Sequence, residues 1–348
     1  MARKLLWASL ALAPATILVD LLAHPGKTAL FVFAAVALVP LAWLIGEATE
    51  HAAEHTGPGV GGFLNASFGN APELIIGLVA VAGGLPNVVR GSLAGSIVSN
   101  ILLVLGLALV VGGNASLDRR SLLEQLGLVV VAVLIFLVPA VPGFQGNPER
   151  HSLVLASIPA AVVLLALYLA MTTRSLRRHS HQHAESDHEP AADGWSLLLS
   201  LGVLAAATVA TALVSEILVH SLDAFAHAAG LSEFFISAVI VAIVGNAAEH
   251  GGAVVIAHRG KMKLATEIAI SSSAQVGLLV VPAVMLISLL FAQPLPLSFR
   301  WEEVAGMGGA AAFVGFVVRD GRARRWEGAL LIGVYAAIVG GFFFAGDR

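Results

Sequence analysis

The sequence predicts an all-α integral membrane protein of eleven transmembrane helices, one N-terminal helix followed by two inverted five-helix repeats. Three observations predict it. With 58% hydrophobic and 12% charged residues and a mean hydropathy of +0.90, the 348-residue chain carries too little polar surface for a water-soluble globule. Apolar runs of about 20 residues, the length that crosses a bilayer, recur along the chain. Two segments also repeat one another 176 residues apart, Gly69-Asn70-Ala71-Pro72-Glu73 and Gly245-Asn246-Ala247-Ala248-Glu249. Cysteine is absent, which excludes disulfides, thiolate metal sites and cysteine nucleophiles. The net charge of −3 carries no nucleic-acid signal, and no such partner is expected.

The first expected span, 5–23, contains Asp20, is followed by His24 and has no convincing small-residue cleavage site. It reads as a retained helix rather than a signal peptide, and 1–27 forms the first unit. Spans at 28–54, 59–84, 87–112, 122–141 and 150–173 make the first repeat, 28–173. A polar, His-rich linker, 174–194, separates it from spans at 195–219, 231–258, 262–291, 300–318 and 327–345 of the second repeat, 195–348.

Lysine and arginine in the loops set the orientation. With the N-terminus inside, the inner side holds Arg3, Lys4, Arg119, Arg120, Arg174, Arg177, Arg178, Arg259, Lys261, Lys263, Arg319, Arg322, Arg324 and Arg325. The outer side holds Lys27, Arg90, Arg150, Arg300 and Arg348. Each repeat has an odd number of helices, so the second enters the membrane from the opposite side. Secondary transporters use such inverted repeats to build a midplane site for alternating access. The expected location is the inner membrane of a bacterial cell, with the N-terminus cytoplasmic.

Glu73 and Glu249 fall mid-span, where an ionisable group costs about 2.5–3.5 kcal/mol on insertion scales and marks a functional site by default. The match extends beyond them. Ser96 follows Glu73, and Ser272 follows Glu249, by 23 residues; Ser99 matches Gln275 at the same offset. Asn70 shares a helix face with Glu73, as Asn246 does with Glu249. Ser92, Ser96, Ser99 and Asn100 form one polar stripe. Pro72 lacks an N–H and so frees a backbone carbonyl near the site, while Gly69 and Gly245 permit a local helix break. Serine and asparagine also glue membrane helices together, but a carboxylate without a basic partner must bind a cation or a proton. Carboxylates, amides, hydroxyls and carbonyls make an all-oxygen set, which suits Ca²⁺ better than octahedral Mg²⁺. When the cation leaves, two close carboxylates in a low dielectric take up protons in its place. Competition for the same oxygens at an alternately exposed site is antiport.

The segments GNAPEL (69–74), GSIVSN (95–100), VGNAAEH (244–250) and SSSAQ (271–275) resemble the cation/proton exchangers of the calcium/cation antiporter superfamily, over nearly the whole chain from the second span onward. The resemblance implies an eleven-helix fold, Ca²⁺/H⁺ exchange, Glu73 and Glu249 as central ligands, and supporting roles for Asn70, Asn246, Ser96, Ser272 and Gln275. Ca²⁺ is then a transported substrate, and no cofactor is expected. Pro72 stands where the family typically carries threonine and is more reminiscent of the sodium/calcium branch. Na⁺/Ca²⁺ exchange and Mn²⁺ or Zn²⁺ export are the alternatives.

Glu47, Glu50 and Glu54, with His51 and His55, share nearly one face at the inner end of the second span. Glu216 and Asp223, with His220 and His227, do so at the outer end of the seventh. Either group could gather cations and pass protons or be solvated helix ends. His250, beside Glu249, could relay protons. His51-Ala52-Ala53-Glu54-His55 also fits the H-x-x-E-H pattern of inverted zinc peptidases, an enzyme alternative that leaves the repeat unexplained. The histidines of 179–189 read as part of a linker or as a metal or pH sensor.

Overall fold

A computed structural model describes residues 2–23, 26–182 and 194–347. Two short helices, α1 (Ala2–Ser9) and α2 (Leu12–Ala23), open the chain; Pro14 sits in the first turn of α2, where its missing N–H is tolerated. Next come α3 (Lys27–Phe68), α4 (Ala71–Ala82), α5 (Pro86–Val98), α6 (Leu105–Gly112), α7 (Arg119–Gly143) and α8 (His151–Gln182). The second half contains α9 (Leu197–Ala229), α10 (Glu233–Ile236), α11 (Ala242–Gly245), α12 (Ala247–His258), α13 (Met262–Gln275), α14 (Val281–Ser288), α15 (Trp301–Val317) and α16 (Arg325–Ala345). π-Helical turns at Ser99–Val104, Ser237–Val241 and Val276–Val280 join α5 to α6, α10 to α11 and α13 to α14.

Helix starts follow local chemistry. Asp118, Ser196 and Ser232 accept hydrogen bonds from the backbone N–H of Ser121, Leu199 and Phe235, capping α7, α9 and α10. α9 stops at Gly230, whose φ of +67° is a left-handed cap that suits glycine.

Among the described residues, nine helices are long and apolar enough to cross a membrane, and the bent pair Glu233–Gly245 and Ala247–His258 makes a tenth if counted as one span. The expected eleventh, 59–84, is not a separate helix. Its first ten residues continue α3, which runs unbroken through Gly57 and Pro58, and the remainder forms the short apolar α4. The 42 residues of α3 are about twice what one crossing needs. α8 likewise continues to Gln182, past the expected start of the linker; residues 183–189 of the His-rich segment lie outside the described residues.

The two halves interlock. α3 packs along α9, α6 against α16, α7 against α15, and α5 against the Ser237–Val241 turn. At one end of the bundle the two-residue strands β1 (Ala115–Ser116) and β2 (Arg322–Ala323) pair antiparallel, tying a loop of each half together. This end carries Arg119, Arg120, Arg259, Lys261, Lys263, Arg319, Arg322, Arg324 and Arg325 and is called the basic end below.

At the far end, Arg90 departs from the expected loop charge. It lies in α5, only 1% exposed, and donates to Glu149 (2.6 Å), Asn87 (2.7 Å), the Pro296 carbonyl (3.2 Å) and Ser298 (3.3 Å). Arg300 is also buried, donating to the carbonyls of Gly346 and Ala345. These two far-end cations are held inside the protein by those bonds rather than exposed in loops.

Candidate functional site

Both repeats break at the same place. α3 stops at Phe68 and α4 starts at Ala71; α11 stops at Gly245 and α12 starts at Ala247. The residues before the new helices match in backbone, Asn70 at φ −96°, ψ 18° and Asn246 at φ −93°, ψ 10°. Each asparagine carbonyl accepts the first bond of its new helix, from Leu74 N (3.2 Å) and His250 N (2.9 Å). Glu73 and Glu249 thus occupy the first turns of α4 and α12, where unpaired N–H groups and the helix dipole favour negative charge. α4 and α12 span residues related by the same 176 offset at both ends. The second break bends the chain by 58°.

Interlocking brings the two breaks together. A Cβ added to Gly245 would lie 3.5 Å from Cγ and 3.7 Å from Oε1 of Glu73, so the carboxylate of the first repeat sits against the break of the second. Glu73 and Glu249 are close enough to interact electrostatically. Glu73 is buried, and neither oxygen has a hydrogen-bond partner from another described residue. Glu249 is half-buried and accepts from the hydroxyl of Ser272. On the basic-end side of Glu249, Gly251 is exposed.

Around the carboxylates runs a network that crosses between repeats. Asn70 Nδ2 donates to Gln275 Oε1 at 2.7 Å. Asn246 Nδ2 donates to Ser96 Oγ at 2.8 Å and to the Ala242 carbonyl at 2.7 Å. Asn100 Nδ2 donates to Asn246 Oδ1 at 3.0 Å and to Ser272 Oγ at 3.2 Å, and its Oδ1 lies 2.9 Å from His250 Nε2. Ser99 Oγ donates to the Ser96 carbonyl at 3.2 Å. Glu73, Glu249, Asn70, Asn246, Ser96, Ser99, Asn100, Ser272, Gln275, Gly69, Gly245 and His250 therefore gather around the two breaks. The sequence places His250 beside Glu249 but gives no sign of its bond to Asn100. The π-turns carry no sequence signal either; two of them begin at Ser99 and directly after Gln275, and such turns concentrate at functional sites.

The accessory residues divide. Glu47, His51 and Glu54 form a chain on α3, with His51 Nδ1 3.3 Å from Glu54 and Nε2 3.9 Å from Glu47, while Glu50 is exposed. His51 stacks on Trp195, and His55 Nε2 turns to the Trp195 carbonyl at 2.6 Å. The two histidines of the peptidase-like motif therefore bond in different directions, and among the described residues no group of three or more histidines and carboxylates is placed to hold a metal. Glu216 and Asp223 are not brought to the breaks. Glu216 lines a groove with Asp20, Lys27 and His220, and Asp223 pairs with His227 at 3.2 Å.

The arrangement places one buried and one half-buried carboxylate beside a network of amides and hydroxyls. An ionised carboxylate taken from water without compensation costs several kcal/mol, so Glu73 requires a cation or a proton.

The description "sodium/calcium exchanger protein" fits a family matching residues 26–177 and 199–344. The chain is 37% identical over 335 residues to the Ca²⁺/H⁺ antiporter ChaA of Bacillus subtilis, covering 92% of this chain and 94% of the relative. It is 34% identical to the vacuolar calcium ion transporter of Schizosaccharomyces pombe, over 90% of this chain and 79% of the relative. Among solved structures, native YfkE superimposes with a TM-score of 0.82 at 34% identity, covering 97% of this chain and 99% of that one. The H⁺/Ca²⁺ exchanger CAX matches with a TM-score of 0.74 at 17% identity, over 99% of this chain and 92% of that one, which is a likeness of fold.

Proposed function

The chain belongs to the sodium/calcium exchanger protein family, and from that premise we propose that it exchanges Ca²⁺ for H⁺ across a bilayer by alternating access at one site shared by Glu73 and Glu249. The observation that carries the reading is the meeting of the two breaks, with the buried Glu73 carboxylate against Gly245 and no donor from another described residue. Relatives named as Ca²⁺/H⁺ antiporters support the choice of ions.

In this reading the two glutamates ligate Ca²⁺, and Asn70, Asn246, Gln275 and the serines contribute oxygens or fix those that do. Carbonyls at the C-terminal ends of α3 and α11 complete the shell, as broken helices do in other transporters. Ca²⁺ lets both carboxylates stay ionised together; protons replace it when it leaves, so neither state holds bare buried charge. The interlocked halves are two inverted five-helix repeats, the end of α3 and α4 together form the eleventh span, and the basic end faces the cytoplasm. The partly exposed Glu249 and the exposed Gly251 then describe a site reached from that side. Glu47, Glu50 and Glu54 raise the local concentration of cations there. The bilayer is the working environment.

The sodium-coupled reading rests on Pro72 and on the description of the family. Proteoliposomes loaded with Ca²⁺ and given a pH gradient in sodium-free buffer separate the two. The expected result is ⁴⁵Ca²⁺ exchange that a protonophore stops and that excess Mn²⁺ or Zn²⁺ inhibits only weakly. Flux that requires Na⁺ and ignores the pH gradient would establish the sodium reading instead.

A further inference from the structure

Hydroxyl groups inside membrane helices normally bond a carbonyl of their own helix or a neighbour. Every other buried serine and threonine among the described residues has such a bond or another partner. Thr211 and Ser215 do not. Both are 0% exposed, and neither hydroxyl has a hydrogen-bond partner in the described protein. They stand four residues apart on one face of α9. Leaving a buried hydroxyl unpaired is unfavourable, and two on one face are a property of that face.

The neighbours of α9 locate the face. Towards the basic end, Leu204 and Ala207 cluster with Ala71 and Ile75 of α4 and with Ile45 and Ala48 of α3. Towards the far end, a Cβ on Gly83, just past α4, would lie 3.5 Å from Val219. α9 and α4 therefore run side by side, and Thr211 and Ser215 fall between these two contacts. The seam they occupy leads from the far end to the first turn of α4, the turn that carries Glu73. Residue 218 continues this face, while Val214 turns to the side.

We propose that Thr211 and Ser215 are the polar rungs of a water route along the α9–α4 seam, connecting the far end of the bundle to the first turn of α4. The inference rests on the exchange reading above, which requires water and protons to reach the site from the far side as well. A hydroxyl suits the task because it donates and accepts at once and stays uncharged, and bridging water satisfies groups that the protein leaves unpaired. The sequence marks neither residue, because Thr208, Thr211 and Ser215 look alike on an apolar helix. Thr208 bonds back to the Leu204 carbonyl at 2.8 Å and is thereby accounted for.

The chain has no cysteine, so single cysteines report on the route without background. In proteoliposomes, Thr211→Cys and Ser215→Cys should react with a charged, membrane-impermeant thiol reagent about tenfold faster than Val214→Cys. Equal rates at all three positions would overturn the route. Because this labelling needs no transport, it stands or falls apart from the choice of coupling ion. The isosteric double variant Thr211→Val with Ser215→Ala should melt no lower than the parent, yet exchange Ca²⁺ about tenfold more slowly. A lower melting temperature, or unchanged exchange, would show the hydroxyls to be structural and overturn the proposal.

Discussion

Glu73→Gln should abolish Ca²⁺ exchange while leaving the protein inserted and folded, and Glu249→Gln should do the same. Each substitution keeps the size of the side chain and removes the charge that a buried cation needs. Removing one partner of a desolvated ion pair costs about 3–5 kcal/mol, which is about a hundredfold or more in rate or affinity. Stability should move the other way or not at all. Among the described residues Glu73 has no hydrogen-bond donor from another residue to lose, and glutamine still offers an oxygen to the Ser272 hydroxyl that now meets Glu249. Flux in proteoliposomes and thermal melting of the same preparations check both halves of the expectation. A Gln variant that still exchanges robustly removes that residue from the central site.

Gly95→Ala should be nearly as damaging, through packing rather than charge. α5 crosses the π-turn Ser237–Val241 so closely that a Cβ on Gly95 would overlap the Ala238 backbone carbonyl. Backbone cannot rotate away as a side chain end can, so α5 or the turn must shift. The next residue is Ser96, which accepts the bond from Asn246, and a shift of α5 pulls this contact apart. Overpacking of this kind costs about 1–3 kcal/mol and sometimes more. The variant should melt several degrees lower and lose most Ca²⁺ uptake, whereas Gly309→Ala, with nothing within 4 Å, should behave as the parent. If Gly95→Ala melts and transports like the parent, the close crossing does not position the site.

Much of the site was legible in the sequence because its chemistry is repeated. Carboxylates are rare in membrane spans, so Glu73 and Glu249 stand out, and the constant offset to Ser96 and Ser272 draws in the residues that the structure gathers around them. The break after each Gly-Asn step follows from glycine and from Pro72. Other features depend on partners far away in the chain. Gly57-Pro58 looks like the end of a span, yet α3 passes through it, as membrane helices tolerate proline where neighbours satisfy the freed carbonyl. Arg90 looks like an outer loop charge. Its burial depends on Glu149 and on Pro296 and Ser298, which no local pattern ties to it. The π-turns have no reliable sequence signal at all, and the orphan hydroxyls of α9 differ from Thr208 only in which way they turn.

The central claim is that Ca²⁺ and protons compete for the same two carboxylates. Its most direct test is to titrate Ca²⁺ into the purified protein in sodium-free, weakly buffered solution and count the protons released. The Ca²⁺-free form holds more protons than the Ca²⁺-bound form in this account, so affinity must fall as pH falls. About two protons should leave per Ca²⁺ bound when both glutamates start protonated, and fewer in Glu73→Gln or Glu249→Gln. Ca²⁺ binding that releases no protons and keeps one affinity across the pH range would contradict it.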